Sequence, residues 1–124
     1  MRHVILSAML LVSAVTACAA DLHESIEQSA LRSWKISLVP LVASQALDAT
    51  SSYGLRELNP LLADPNGGFG MKATSIKLGV TGALVGVEYL IVKKYPRSAR
   101  VISKLNWTTG IVTTGFAVHN YAIK

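Results

Sequence analysis

Cysteine and charged residues are scarce in this sequence, and each shortage excludes a class of protein. One cysteine among 124 residues rules out a disulfide framework and a zinc site built from cysteines. Four prolines and nine glycines are too few for a collagen-like or proline-rich disordered chain. Charged residues make up 15% of the chain and hydrophobic residues 51%, whereas an ordinary soluble domain carries about 25% charged residues. The composition therefore predicts a membrane protein, and the length allows one small bundle.

The excess of basic residues is modest, with a net charge of +5. The dense basic run is residues 93–100, which lies between two apolar segments. A nucleic-acid-binding surface requires a stripe of Lys and Arg interleaved with aromatics, and that footprint is missing from the sequence. Positive charge beside a membrane segment explains the run through topology or through attraction to anionic lipid. We predict the lipid bilayer as a partner and no nucleic acid.

Residues 1–20 have the three-part order of a secretory signal. A short positive stretch precedes an uncharged apolar run from Val4 to Val15, and small residues follow before the chain turns polar. Residues 15–18 also resemble a bacterial lipobox, with Val where Leu is usual, so Cys18 is a lipidation candidate. Ordinary cleavage, an uncleaved anchor and lipidation all stay open. The segment predicts signal-directed export of the N-terminus and a location in the bacterial envelope.

Residues 21–35 predict an amphipathic helix, because Leu22, Ile26, Ala30 and Trp34 recur every four residues. Such a helix suits a membrane interface, and it suits equally a position against a protein core. Both alternatives stay open.

The remaining residues, 36–124, predict a membrane helical domain. Its expected helices are residues 36–52, 74–92 and 101–123, because no stretch alternates apolar and polar residues as a strand does. Residues 53–71 predict a loop with a short helical turn at Pro60. The fold class is all-α: a small membrane helical bundle with two or three hydrophobic helices after the signal segment. We expect the second and third of these helices to form an antiparallel pair, because the connection between them is short.

Two of the helices carry polar or small residues on one face. Ser37, Ser44, Asp48 and Ser51 fall on one side of the first helix, which therefore suits contact with protein and not with lipid. On the second helix a stripe of small residues predicts close packing against another helix. Its glycines are Gly79, Gly82 and Gly86. The opposite face of that helix carries Lys77, Thr81 and Glu88.

The predicted topology contains a conflict. Four positive charges and no negative ones lie in residues 93–100, so the positive-inside rule puts this connection in the cytoplasm, at the inner membrane. Export of the N-terminus puts residues 21–35 outside, and three full crossings cannot satisfy both. The conflict disappears if residues 36–52 lie on or re-enter the outer face, or if the signal is an uncleaved, inverted anchor.

The residues Asp48-Ala49-Thr50-Ser51, followed by Glu57-Leu58-Asn59-Pro60, resemble an uncharacterised family of small bacterial multi-helix membrane proteins. The family pattern is Asp-x-Thr/Ser, a short gap, Glu-x-Asn-Pro and a later helix that bears Lys. Lys77 or Lys72 matches that Lys, and His119 with Asn120 matches a polar position in the last helix. The resemblance covers residues 40–124 loosely. It implies membrane location and no reaction.

Asp48 and Glu57 are the sharpest candidates for chemistry, because a carboxylate near a bilayer normally finds a partner or serves an ion or proton path. If the loop folds back over the helix end, both carboxylates meet Lys77 or Lys72, and His119 joins if the last helix ends on the same side. Each candidate also has a plain structural alternative. Asp48 can bond local backbone, Glu57 can brace the loop at Asn59, and His119 can be an interfacial polar residue.

Three functions follow from these patterns. The leading prediction is an integral membrane protein that acts as a structural or partner-binding small subunit, with a membrane protein partner or a second copy. The alternatives are a membrane-embedded enzyme or ion-handling protein that uses a buried Asp, Glu, Lys and His cluster, and an envelope lipoprotein. We predict no metal and no cofactor, since the sequence has no Gly-rich phosphate loop, nucleophile elbow or His-x-x-x-His pair.

Overall fold

The computed structural model describes residues 2–124, with side chains from residue 22 onwards. Three helices follow one another: α1 is Arg2–Ser52, α2 is Met71–Lys94 and α3 is Ala99–Ala122. A 3₁₀ turn, Pro96–Ser98, joins α2 to α3. Residues 2–124 contain no strand, and the predicted all-α class is confirmed. The segments 21–35 and 36–52 belong to one continuous helix that runs through Pro40.

The helices run up, down and up, so that α1 and α3 are parallel and α2 is antiparallel to both. Along α1, the hydroxyl of Ser33 lies 3.0 Å from that of Ser103, and Ser52 accepts a hydrogen bond from Asn120 at 2.9 Å. Helix α2 runs in the opposite direction to α1, since Trp34 contacts Glu88 near the end of α2 and the later residue Asp48 contacts Lys77 near its start. The main packing partner of α3 is α1. The expected antiparallel direction of α2 and α3 is present, but the two do not form a closely packed pair, because a short connection fixes the direction of the next helix and not its closest neighbour.

A proline and a glycine explain how closely α3 approaches α1. A Cβ atom added to Gly110 would lie 3.0 Å from the carbonyl oxygen of Pro40. A larger residue would therefore require the backbone of α1 to move by a few tenths of an ångström, and glycine lets the two backbones approach closely without that shift. Pro40 has no N–H, so α1 also lacks one helical hydrogen bond at this level. The close contact lies near the middle of the long α1–α3 interface.

The interior of the bundle mixes polar and apolar side chains, and many large apolar side chains cover its outside. Within residues 22–124 eight buried residues are polar or charged: Ser37, Ser44, Asp48, Ser51, Thr81, Glu88, Ser103 and Asn106. Meanwhile Val39 on α1 is 69% exposed, Leu90 on α2 64% and Ile111 on α3 68%. The polar stripe predicted for the first helix faces protein, as expected. Of the described helices, Met71–Lys94 is long and apolar enough to cross a membrane.

The connection between α1 and α2, residues 53–70, is a loop, as predicted, and its two arms pair with each other like a hairpin. The amide of Gly54 donates to Phe69 at 2.8 Å, and the amide of Phe69 donates to Leu55 at 2.7 Å. Gly54 has a φ of +83° and Gly67 a φ of +75°, a region that favours glycine over residues with a Cβ. These bonds hold the buried ring of Phe69 against the bundle, next to the first turns of α2.

Candidate functional site

Asp48 and Lys77 form an ion pair where α1 ends and α2 begins. Asp48 is 7% exposed, and the Lys77 ammonium also lies 5.2 Å from the centre of the Phe69 ring. The antiparallel course of the two helices brings the residues together, and the loop adds the aromatic face. The expected meeting of Asp48 with Lys77 is thus present, whereas Lys72 is exposed. We call this group the Asp48–Lys77 pair.

Glu57 and Asn59 stabilise the loop and lie apart from the Asp48–Lys77 pair. The carboxylate of Glu57 accepts the amide hydrogen of Asn59 at 2.9 Å, and the side-chain oxygen of Asn59 accepts that of Leu61 at 3.0 Å. Within residues 22–124 no ion pair joins Glu57 to a lysine. The expected two-carboxylate cluster therefore does not form, because local backbone donors occupy Glu57. The Glu-x-Asn-Pro sequence is explained by two successive turns.

His119 stays outside the site, although α3 ends on the expected side. Asn120 donates to Ser52 at 2.9 Å, and the hydroxyls of Tyr121 and Thr50 lie 3.2 Å apart. These contacts put the end of α3 beside the end of α1. The His119 side chain is exposed, since its neighbour Asn120 takes the inward position. The expectation that His119 joins the cluster is wrong for this reason.

A cavity of about 280 Å³ adjoins the Asp48–Lys77 pair. Its polar lining comes from Lys77, Gln45, Thr81 and Thr109, and leucine, isoleucine and valine side chains form the rest. Gln45 also donates to Thr113 at 3.3 Å, which links α1 to α3 at this level. The cavity joins a fixed charge pair to a small, mostly apolar space between the helices.

A second polar group, the Glu88 network, joins all three helices at the other end of the bundle. One carboxyl oxygen of Glu88 accepts the indole N–H of Trp34 at 3.0 Å and an amide N–H of Asn106 at 2.9 Å. Asn106 also lies 3.2 Å from the hydroxyl of Ser37. Glu88 is 6% exposed, and it lies about 16 Å from Lys77 along α2 at 1.5 Å per residue.

Sequence reasoning identified Glu88 but missed its partners. Trp34 suited a membrane interface as a member of the amphipathic stripe, yet it is buried and donates to Glu88. Asn106 carried no signal that set it apart from the other polar residues of a segment that also contains four threonines and Asn120. A buried carboxyl group is normally hydrogen-bonded to donors on neighbouring helices. The indole and amide side chains on the inner faces of the other helices were therefore the residues that could have been predicted as partners of Glu88.

The polar groups inside the bundle satisfy one another. Among the described residues, no buried side-chain nitrogen or oxygen lacks a hydrogen-bond partner. A fully satisfied polar network specifies how helices pack and leaves no donor or acceptor waiting for a ligand. Within residues 22–124, no group of three or more His, Cys, Asp or Glu residues is arranged to hold a metal ion. The hydrogen bonds between buried polar side chains therefore link the helices to one another.

The small-residue stripe of α2 points away from α1 and α3. Gly79, Gly82 and Gly86 are exposed, and a Cβ atom added to any of them would meet nothing within 4 Å in the described chain. The helix buries its opposite face, which carries Thr81 and Glu88. Cys18, the lipidation candidate, lies outside the residues whose side chains are described.

Comparisons with protein-family models, with curated proteins and with solved structures find no match for this chain. The resemblance to small bacterial membrane proteins therefore stays a prediction from the motif residues. Functional proposals for this chain therefore depend on its own geometry, above all on its exposed apolar surface, the outward glycines of α2 and the Asp48–Lys77 pair.

Proposed function

We propose that the protein is an integral membrane protein of the bacterial inner membrane that acts as a structural or partner-binding small subunit. The observation that carries the proposal is the distribution of side chains, with large apolar groups exposed on all three helices and several polar and charged groups buried between them. Soluble monomers rarely expose apolar patches beyond a few hundred Å². In a bilayer the same apolar surface contacts lipid, and buried polar groups find partners on neighbouring helices.

The charges at the two ends of the bundle support one orientation. The end with Lys93, Lys94, Arg97 and Arg100 is strongly basic, whereas residues 53–73 have a net charge of zero. Positive charge favours the cytoplasmic side of a membrane. His23 contacts Arg97, so the start of the described part of α1 belongs to that same end. This arrangement favours the inverted-anchor solution of the topology conflict, with all three helices crossing.

Alkaline carbonate extraction of native membranes tests membrane integration. The chain should stay in the membrane pellet and should be mainly helical by circular dichroism after purification in detergent. Release into the aqueous phase would contradict the proposal.

The partner-binding part of the proposal depends on the outward glycines of α2. A groove of small residues lets another helix approach closely in lipid, so Gly79, Gly82 and Gly86 would accept a helix from a second copy or from another membrane protein. Because Gly86 has free space within one chain, Gly86→Leu should leave the folding of the chain intact. Any loss of assembly would therefore report a partner on this face.

The matched control is Gly115→Leu, which introduces the same side chain at another open helical glycine on α3. Both variants are crosslinked in native membranes and sized in mild detergent. Gly86→Leu should shift the chain to the monomer or to a smaller complex, and Gly115→Leu should match the unaltered chain. Identical sizes for the two variants would contradict a partner at the α2 glycines.

Ion handling is a second candidate function, and the cavity of about 280 Å³ beside the Asp48–Lys77 pair favours it. A charge pair beside a cavity within a membrane is a common element of ion and proton paths. The test is flux of protons or sodium into vesicles that contain the purified chain. Flux that Asp48→Asn abolishes and Glu57→Gln preserves would support this candidate, whereas no flux above that of empty vesicles would refute it.

A further inference from the structure

A cleft opens between the start of the described part of α1 and the 3₁₀ turn that precedes α3. Two adjoining cavities of about 420 Å³ and about 220 Å³ form it, and Ile26, Glu27 and Arg97 line both. The first cavity also has Leu22 and His23 in its wall, and the second has Arg100. The cleft lies at the basic end of the bundle, far from the Asp48–Lys77 pair.

A chain of side-chain contacts positions Arg97 in this cleft. The Nη2 atom of Arg97 lies 2.8 Å from Nε2 of His23, and Nδ1 of His23 lies 3.2 Å from a carboxylate oxygen of Glu27. Both contacts are satisfied when His23 is neutral, donates from Nδ1 to Glu27 and accepts the Arg97 hydrogen at Nε2. Glu27 therefore faces His23, and most of the guanidinium donors of Arg97 have no partner among residues 22–124.

The free donors select an anion with several acceptor oxygens. A guanidinium carries five N–H donors in a planar fork that matches phosphate. Two arginines face the cleft against one carboxylate, and Lys93 and Lys94 add positive charge at the same end. The cleft is therefore electropositive as well as rich in donors.

The opposite wall of the cleft is apolar and open. Leu22 and Ile26 are both largely exposed, although they belong to the lining. Free phosphate has no apolar part that could contact these side chains. An amphiphilic ligand has a charged head for the arginines and an apolar body for Leu22 and Ile26. Basic pockets beside membrane helices on the cytoplasmic side bind the headgroups of anionic lipids.

We propose that this cleft binds the phosphodiester headgroup of an anionic phospholipid. Arg97 and Arg100 contact the phosphate oxygens, and Leu22 and Ile26 contact the upper part of the acyl chains. The proposal rests on the membrane location given under Proposed function, since that location brings the cleft to the level of the lipid headgroups. It adds a ligand site that the role as a small subunit does not require.

The test measures lipid binding to the full-length chain in detergent, by titration with phosphatidylglycerol or phosphatidylcholine and detection by native mass spectrometry. The unaltered chain should prefer phosphatidylglycerol. Each basic side chain at an anionic lipid contributes roughly a fivefold gain in affinity, so Arg97→Gln with Arg100→Gln should weaken phosphatidylglycerol binding roughly 25-fold. The matched control, Arg56→Gln with Lys72→Gln, removes the same charge at the opposite end and should change binding less than about twofold.

Competition experiments separate the two sources of phosphate. Excess inorganic phosphate or glycerol 3-phosphate should leave phosphatidylglycerol bound, because neither ligand uses the apolar wall. Equal displacement by free phosphate would overturn the lipid assignment. If phosphatidylglycerol binding is weakened equally in both double variants, or if the chain shows no preference for phosphatidylglycerol, the cleft is not a binding site for anionic lipid.

Failure of this inference is distinguishable from failure of the proposed function. A chain that resists carbonate extraction yet shows no preference for phosphatidylglycerol refutes the cleft alone. A chain that carbonate releases refutes the membrane location, whatever its lipid binding in detergent.

Discussion

Replacing Glu88 should show how strongly the buried polar interior fixes the three helices. Its carboxyl oxygen accepts hydrogen bonds from Trp34 on α1 and from Asn106 on α3. Glu88→Leu removes the acceptor and leaves two buried N–H donors without a partner. Glu88→Gln keeps a carbonyl oxygen at the same position, and that oxygen can accept both hydrogens.

The magnitude follows from the two orphaned donors. An unsatisfied buried donor costs about 1–3 kcal/mol in a soluble protein, whereas interhelical side-chain hydrogen bonds in a membrane average about 0.6 kcal/mol. Since both donors of the Glu88 network are lost together, we expect Glu88→Leu to lower the free energy of unfolding by about 1–6 kcal/mol, the lower end being the value for a membrane. Glu88→Gln should lower it by less than about 1 kcal/mol.

The assay is reversible unfolding in mixed micelles, followed by tryptophan fluorescence. Trp107→Phe provides the background, because Trp107 is exposed and Trp34, which stays, is buried beside Glu88. A double-mutant cycle between Trp34→Phe and Glu88→Leu, followed by circular dichroism, should give a coupling energy of about 1 kcal/mol. Equal destabilisation by Glu88→Leu and Glu88→Gln, or a coupling energy near zero, would refute the reasoning.

Two further predictions address the packing of α1 against its neighbours. Cysteines that replace Asp48 and Lys77 should crosslink in native membranes. Cysteines that replace Asp48 and Arg97 should not, since Arg97 lies at the opposite end of the bundle. The reverse pattern would contradict the pairing of α1 with α2. Gly110→Ala should lower the free energy of unfolding by about 1–3 kcal/mol, because its methyl group meets the Pro40 carbonyl, whereas Gly115→Ala should be neutral or stabilising. Equal unfolding curves for the two alanine variants would mean that α3 does not approach α1 as closely as described.

Helical periodicity predicted which faces of the helices are polar, and it did so well. Ser37, Ser44 and Asp48 share a face in the sequence and are buried together in the bundle. The face of α2 that carries Glu88 is likewise inside, and the glycine stripe that the sequence put opposite to it is outside. The 3.6-residue repeat of an α-helix is enough to predict which side chains share a face, since it depends only on the residues of that helix.

Periodicity could not predict which helix each face meets. The pairing of α1 with α3 depends on the fit of Gly110 against Pro40. The position of a glycine in the sequence does not identify the helix that will pack against it. The partners of Glu88 were missed for the same reason, because Trp34 and Asn106 come from helices far apart in the sequence. For Glu57 the local alternative was correct, since the amide of Asn59 is two residues away and needs no tertiary contact.

The central claim is that the outer, apolar faces of the helices contact lipid while the polar faces contact one another. Spin labels on single cysteines, in a Cys18→Ser background, test it directly in reconstituted vesicles. The outward positions are Val80, Val87 and Val112, and the buried reference position is Ser44.

Collision rates with oxygen, which concentrates in lipid, and with a water-soluble nickel complex separate lipid, water and protein environments. The account predicts frequent oxygen collisions and rare nickel collisions at the three valine positions, and rare collisions with both reagents at Ser44. Frequent nickel collisions at the valine positions would mean that these faces meet water, and the membrane account would be wrong.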